Sequence, residues 1–324
     1  MKKIISVLLL TAALAGLMTG CGGTAEDDGR LKIVTTIFPE YDWVIQILGD
    51  KADAADISML LDNGVDLHSY KATVDDIIGI STCDMFIHVG GESDGWVDDV
   101  LAGAKNGDMV VINLLEALGE DAKEEEIKEG MQTGGDNEED GGEEEAEYDE
   151  HVWLSLKNAA KLCRYIAEKL GEIDADNRAA YAANADAYIE KLNALDAKYK
   201  ETVGKASRKA LLFGDRFPFR YLVDDYGLDY YAAFVGCSAE SEASFETILF
   251  LAGKVDELGL NAIMKIESSD GKIARTIRDT TKTKDQEILT LDSMQSTTAS
   301  DVKNGASYLS IMEKNLEVLR DALK

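Results

Sequence analysis

The chain has 324 residues, of which 45% are apolar, which is enough to bury a core as one large domain or two lobes. Acidic residues number 62 and basic residues 33, so the formal net charge is −29. A surface this acidic repels phosphate backbones, which excludes a nucleic acid as the expected partner.

The N-terminus has the pattern of an export signal. Lys2 and Lys3 precede an apolar run over residues 4–18, which is short for a membrane-spanning helix, and the run ends in Gly20 and Cys21. Small residues before a cysteine resemble a bacterial lipobox, so we expect residues 1–21 to be a lipoprotein signal, with cleavage before Cys21 and lipid on its sulfur. A plain signal peptide is the alternative. Residues 22–30 read as a polar tether, and the chain is expected at the extracytoplasmic face of the cell membrane.

The next part of the chain alternates short β-rich runs with helical patterns. The predicted strands are residues 32–38, 57–61, 85–89 and 109–113, and the predicted helices are 39–48, 73–80 and 94–102. Strands that alternate with helices predict a parallel sheet covered on both faces.

Two long helical patterns follow, and then the alternation begins again. Residues 155–170 and 175–203 are predicted helices, followed by strands at 210–213, 230–234, 262–266 and 288–291 and helices at 217–226, 242–258, 271–280 and 307–323. We therefore predict an α/β protein with an N-terminal lobe (31–154), connecting helices (155–203) and a C-terminal lobe (204–324). A ligand cleft is expected between the lobes, because ligands of open α/β sheets bind beyond the carboxyl ends of the strands.

An acidic segment interrupts the first lobe. Residues 120–150 hold 16 Asp and Glu against two Lys. High charge and few apolar side chains predict a disordered loop over residues 119–148. A weak cation collector and a solvated spacer are both compatible with this composition.

Histidines are few, and two of the three follow strand–helix units. His68 and His151 lie in such loops, His88 lies inside a predicted strand, and Asp292 follows the last strand. Two imidazoles with a carboxylate suit zinc or a neighbouring divalent ion, although 83 positions separate the two loop histidines. Cys83, Cys163 and Cys237 have no CxxC spacing and are interpreted as buried small apolar residues.

Eight segments, taken in order, resemble the metal-receptor lipoproteins of bacterial zinc and manganese ABC importers. They are KIVTTIFPEYDWV (32–44), DLHSY (66–70), CDMFIHVGGESDGW (83–96), DEHVWLSL (149–156), FPFRYLVDDYGL (217–228), IESS (266–269), LDS (291–293) and residues 308–323. The resemblance covers residues 31–324. It implies two four-stranded parallel lobes joined by one rigid helix, a metal between them, a partner permease and a monomeric receptor.

The resemblance also implies the metal ligands. His68 and His151 match the family's two first histidines, and Asp292 matches its late acidic ligand. The usual third ligand, ten residues before the tyrosine of YGL, is Arg216 here, and arginine has no lone pair for a metal. Glu267, and less strongly Asp215, are the substitutes; an ion pair between Arg216 and Glu267, Asp292 or Asp215 is the competing interpretation.

Five functions remain open at this point. The leading hypothesis is a binding protein, not an enzyme, that captures zinc and passes it to an importer. The alternatives are a manganese receptor of the same fold, a receptor for a metal chelate or anion, which Arg216 suggests, a lipid-anchored zinc hydrolase, and a surface adhesin, a label that some relatives carry.

Overall fold

A computed structural model describes residues 29–132, 147–238 and 242–324. The predicted signal and lipidation site at Cys21 lie outside the described residues. Residues Leu31–Lys324 form one compact unit. Within the described ranges, no helix combines the length and hydropathy that a bilayer crossing requires.

The first half contains a four-stranded parallel sheet in the order β2-β1-β3-β4. Its strands are β1 (Lys32–Thr35), β2 (Asp56–Met59), β3 (Met85–His88) and β4 (Val110–Asn113), and its helices are α1 (Phe38–Leu48), α2 (Val74–Thr82), α3 (Val97–Ala102) and α4 (Leu114–Leu118). Every residue of β3 is buried, as expected for a central parallel strand.

The first strand is shorter than predicted. β1 ends at Thr35, because the Glu40 carboxylate of the first turn of α1 accepts the backbone N–H groups of Thr36 (2.8 Å) and Ile37 (3.3 Å). These bonds turn the chain into the helix and satisfy donors that a helix N-terminus leaves unpaired.

Two long helices connect the halves: α5 (Leu156–Ile173) and α6 (Arg178–Lys205). The 28 residues of α6 reach about 42 Å at a rise of 1.5 Å per residue. Asn184 near its start donates to Ile47 O in the first half (3.0 Å), and Tyr199 near its end donates to Met312 O in the second half (2.6 Å). The predicted rigid connection between two halves is therefore confirmed.

The second half repeats the pattern with a parallel sheet in the order β6-β5-β7-β8. Its strands are β5 (Ala210–Phe217), β6 (Asp229–Val235), β7 (Ala262–Ile266) and β8 (Glu287–Leu291), and its helices are α7 (Arg220–Tyr226), α8 (Phe245–Leu258), α9 (Lys272–Thr280), α10 (Ala299–Lys303) and α11 (Tyr308–Ala322). β5 is four residues longer than the predicted 210–213, with an irregularity between Phe213 and Arg216. Asp215 and Arg216 therefore belong to the strand and not to the loop after it. The fold-class prediction is confirmed.

The segment that ends the first half packs directly on the second half. Tyr221 donates to Asp149 O (2.9 Å), Trp153 Nε1 donates to Ser293 O (2.8 Å), and Tyr308 donates to Trp153 O (2.6 Å). Residues 149–154 are thereby held between the two sheets, which places His151 at the interface between the halves.

The two ends of the acidic segment have defined structure. Glu125 N–H donates to Glu147 O and Asp149 N–H donates to Lys123 O, each at 2.8 Å. A short 3₁₀ turn spans Gly119–Asp121, and Gln132 N–H donates to Ala233 O at 2.9 Å. The predicted disorder of residues 119–148 is therefore wrong for 119–132 and 147–148, because backbone pairing fixes them. Residues 133–146 lie outside the described ranges.

Candidate metal centre

His68 lies on a short 3₁₀ turn, Leu67–Ser69, in the loop that follows β2 of the first sheet. Asp66 caps this turn, since its Oδ1 accepts the backbone N–H of His68 at 3.1 Å. The Nδ1 atom of His68 lies 2.7 Å from Ser93 Oγ, a hydroxyl that can donate or accept, and 3.5 Å from the carboxylate oxygen Oε2 of Glu150. The other ring nitrogen, Nε2, faces the interface.

His151 is fully buried, and its ring is held by one carboxylate. Oδ1 of Asp149 lies 3.0 Å from Nδ1 of His151 and 2.9 Å from its backbone N. A carboxylate oxygen only accepts, so Nδ1 carries a proton, and Nε2 is the ring nitrogen left to bind a metal. A carboxylate behind a histidine is the usual support of a metal-binding imidazole.

The two Nε2 atoms lie 3.2 Å apart. When both rings carry their proton on Nδ1, the two Nε2 atoms present lone pairs to the same point in the site. Burial, with the neighbouring His151 and the charge of Arg216, lowers the pKa of His68 to about 2, so that its imidazole is neutral at physiological pH. The arrangement is suited to a cation that both lone pairs can bind.

Cys237 completes the one group of three metal-binding side chains found among the described residues. Ligand atoms of His68, His151 and Cys237 all lie within 4.8 Å of one another. Cys237 was interpreted from the sequence as a buried apolar residue, but its side chain is partly buried at this site. Cys237 lies two residues beyond the carboxyl end of β6. Because ligands of open α/β sheets bind beyond the carboxyl ends of the strands, a search of the residues after β6 would have found it.

Gln295 is the second residue at the centre that the sequence reasoning missed. Its buried amide satisfies its neighbours when the nitrogen faces both Asp66 carboxylate oxygens at 3.3 Å. Its oxygen then lies 3.2 Å from Ser293 Oγ and 3.3 Å from His151 Nε2. Nothing in the composition of the segment after β8 distinguished this glutamine from a loop residue.

Arg216 forms its ion pair with Asp66, in place of the predicted Glu267, Asp292 or Asp215. Its guanidinium also lies 3.4 Å from Ser238 O. Since Asp66 also caps the turn that carries His68, the pair connects the second half to a metal-binding loop. The fixed positive charge of Arg216 is thereby neutralised.

The predicted second-half carboxylates organise the loops around this centre. Glu267 accepts the Ser293 N–H (2.7 Å) and the Gln295 N–H (3.2 Å), which fixes the loop that carries Gln295. Asp292 accepts the Met294 N–H at 2.8 Å, and Asp215 accepts the Arg216 N–H at 3.0 Å. Among the described residues, none of these carboxylates belongs to the histidine–cysteine group.

Two of these carboxyl groups have raised pKa values. Burial, and then the neighbouring Glu267, raise the pKa of Asp292 to about 6. Burial raises the pKa of Asp215 above its usual value. The stability of the second half therefore depends on the protonation of groups that lie outside the metal-binding group.

His88 has a structural partner of its own. Its Nδ1 lies 3.1 Å from Asp94 Oδ2, which also accepts the Gly90 N–H at 2.8 Å. The ring stacks on Phe86 with centroids 5.3 Å apart. These contacts agree with the sequence interpretation of His88 as a packed strand residue.

A cavity of about 810 Å³ opens onto His68 and Cys237. Its lining includes five glutamates: Glu92, Glu116, Glu125, Glu147 and Glu150. Glu150 Oε2 is buried without a hydrogen-bond partner. A route lined with carboxylates attracts cations and repels anions.

The donor set fits a zinc ion. Zinc accepts imidazole nitrogen at about 2.0–2.1 Å in tetrahedral geometry, so two nitrogen ligands lie roughly 3.3 Å apart. The observed separation of the two Nε2 atoms is 3.2 Å. Both side chains are buried, and Asp149 and Ser93 orient the two rings.

Comparison with known proteins identifies the family of the chain. Residues 33–322 match the family model described as "ZnuA: Zinc-uptake complex component A periplasmic". The zinc-binding lipoprotein AdcA of Streptococcus pneumoniae is 32% identical over 99% of this chain, and the chain spans only 61% of the length of that relative. The high-affinity zinc uptake system protein ZnuA of Bacillus subtilis is 30% identical, with 100% of this chain and 99% of that protein covered. The Zn(II)-bound ZnuA-like domain of S. pneumoniae AdcA matches with a TM-score of 0.70 and 29% identity, covering 91% of this chain and 99% of that domain. The resemblance read from the sequence is confirmed, and the chain belongs to the family of zinc-uptake complex component A.

Proposed function

We propose that this protein captures a divalent metal ion, zinc, outside the cytoplasm and delivers it to the permease of an ABC importer. The observation that carries the proposal is the pair of Nε2 atoms on the buried side chains of His68 and His151, which lie 3.2 Å apart. A cation between the rings can bind both nitrogen atoms at once when each ring carries its proton on Nδ1.

Zinc is favoured over manganese by the donor atoms. Two imidazoles beside a sulfur suit zinc, whereas manganese prefers carboxylate and water oxygens. The relatives named above are a zinc-binding lipoprotein and a zinc uptake system protein, which supports the same choice.

An anion or an anionic chelate is a poorer fit. The charge of Arg216, which prompted that alternative, is matched by Asp66, and the cavity that leads to the site is lined with glutamates. A hydrolase is also a poorer fit, because the family is named for a component of an uptake complex and not for an enzyme.

The location follows from the same family. A component of zinc uptake acts on the outer side of the cytoplasmic membrane, and we propose that lipid on Cys21 anchors the chain there as a monomer. Mass spectrometry of the mature protein should find a lipidated N-terminal Cys21, and Cys21→Ala should release the protein from the membrane fraction. A mature N-terminus elsewhere contradicts the anchor.

Metal binding is tested directly with single histidine variants. Protein purified without chelator should contain one zinc ion per chain by mass spectrometry. His68→Ala and His151→Ala should each lose most of the zinc affinity in competition with a chromophoric chelator. His88→Gln is the matched control, because His88 pairs with Asp94 away from this centre. Unchanged affinity in both of the first two variants refutes the site.

A further inference from the structure

Two histidines supply only half of the ligands that a tetrahedral zinc site needs. The third candidate atom is the sulfur of Cys237, within 4.8 Å of a ligand nitrogen on each histidine. Arg216, which stands at the usual third-ligand position of the resemblance, has no lone pair and is held by Asp66.

The end of β6 is built to approach His151. β5 and β6 are neighbours, with Phe217 opposite Val235, so Gly236 and Cys237 leave the sheet beside the end of β5. A side chain at Gly236 would place its Cβ 3.0 Å from Cε1 of His151 and 2.9 Å from Phe217 O. Glycine therefore allows the backbone before Cys237 to lie against the imidazole.

A second contact fixes the cysteine itself. The backbone N–H of Cys237 donates to Glu125 Oε1 at 3.2 Å. Glu125 in turn belongs to the backbone pairing that fixes the ends of the acidic segment. The thiol is thus placed by two elements, the end of β6 and the segment around Glu125.

The other two described cysteines differ from Cys237 in their surroundings. Cys83 and Cys163 are at most 1% exposed and belong to the apolar core, and the Cys83 thiol donates to Ile80 O at 3.2 Å. Cys237 is partly exposed and lines the cavity that leads to His68. None of the three forms a disulfide.

Gln295 provides a fourth donor atom. In the orientation that satisfies its neighbours, its amide oxygen lies 3.3 Å from His151 Nε2, from which it can accept a hydrogen bond in the metal-free protein. This distance equals the roughly 3.3 Å edge of a tetrahedron of nitrogen and oxygen ligands around zinc. Asp66 holds the amide nitrogen and so directs the oxygen towards the histidines.

We propose that Cys237, as thiolate, is the third zinc ligand and that the Gln295 amide oxygen is the fourth, with His68 and His151 as the first two. The inference rests on the proposed function and specifies its site. Zinc displaces the thiol proton on binding, so that one negative charge and two neutral imidazoles surround the ion. A thiolate selects zinc and other soft ions and discriminates against manganese.

Cobalt(II) is the probe, because it takes the place of zinc and gives a sulfur-to-metal charge-transfer band only when a thiolate is bound. The purified full chain titrated with cobalt(II) should develop this band, and Cys237→Ser should lose it. Zinc affinity of Cys237→Ser should fall at least about tenfold. Cys83→Ala, with melting temperatures recorded for every variant, is the control and should keep both the band and the affinity.

Gln295 is tested separately, since its role does not depend on sulfur. Gln295→Ala should keep the charge-transfer band and bind zinc more weakly. Cys237→Asp, which replaces sulfur with oxygen, should lose the band and narrow the preference for zinc over manganese.

The outcomes separate this inference from the proposed function. Tight zinc binding that depends on His68 and His151, with no charge-transfer band and with wild-type affinity in Cys237→Ser, overturns the thiolate ligand and leaves the zinc receptor in place. No zinc or cobalt binding by the wild type overturns both.

Discussion

The carboxylate behind His151 gives the sharpest test of how this centre is built. Asp149 Oδ1 accepts from the ring Nδ1 at 3.0 Å and from the backbone N–H of His151 at 2.9 Å, and both residues are buried. Removing this oxygen leaves the ring free to rotate and to carry its proton on Nε2, the atom that faces the metal. We expect Asp149→Ala to weaken zinc binding about 10–100-fold, which corresponds to about 1.4–2.7 kcal/mol.

Asp149→Asn separates orientation from charge. Its amide oxygen can still accept from both donors, so the ring keeps its orientation while the negative charge is lost. The affinity of this variant should lie between those of the wild type and Asp149→Ala. Without metal, Asp149→Ala should also be less stable, because each buried donor left unpaired costs about 1–3 kcal/mol.

The assay is competition with a chromophoric chelator at neutral pH, together with thermal melts of the metal-free proteins. Asp121→Ala is the control, because Asp121 is an exposed carboxylate that pairs with Lys161. If Asp149→Ala binds zinc within about threefold of the wild type, the carboxylate does not orient His151 and the reasoning fails.

Three further predictions concern residues around the centre. Asp66→Asn should weaken zinc binding on the order of tenfold, since it leaves the cation Arg216 unpaired beside the site. Arg216→Ala should strengthen zinc binding on the order of tenfold, since it leaves the anion Asp66 unpaired. Changes of the same sign in the chelator assay contradict this prediction. Gly236→Ala should weaken zinc binding without unfolding the chain, because its Cβ displaces the His151 ring; calorimetric titration that gives the wild-type affinity contradicts it. Because the pKa of Asp292 is about 6 in the folded chain against 3.8 as its ordinary value, the folded state binds the proton more tightly, and stability falls as pH rises from about 4 to 6. Asp292→Asn should remove this loss, so that the variant is more stable than the wild type at pH 7 and not at pH 4; an equal melting-temperature difference at both pH values rules out the linkage.

Much of the architecture was predictable because it depends on local patterns. The apolar spacing of residues 156–170 predicts a helix that the structure extends to Ile173, and the apolar run at 262–266 predicts β7 with the observed bounds. Composition and resemblance also pointed to His68 and His151, which lie next to each other in the structure. The predicted ends of strands were wrong where a contact outside the strand sets its length. Glu40 ends β1 by accepting the Thr36 N–H, and pairing with β6 extends β5 to Phe217.

The proposed ligand set depends on tertiary structure. His68 comes from the loop after β2, Cys237 from the end of β6, and Gln295 from the loop after β8, so that no spacing within the sequence relates them. The sequence shows which residue types follow each strand, and it was sufficient to expect a metal at the strand ends. It does not show that Asp66 neutralises Arg216 or that glycine lets the end of β6 reach His151, because both depend on how the two halves pack across their interface.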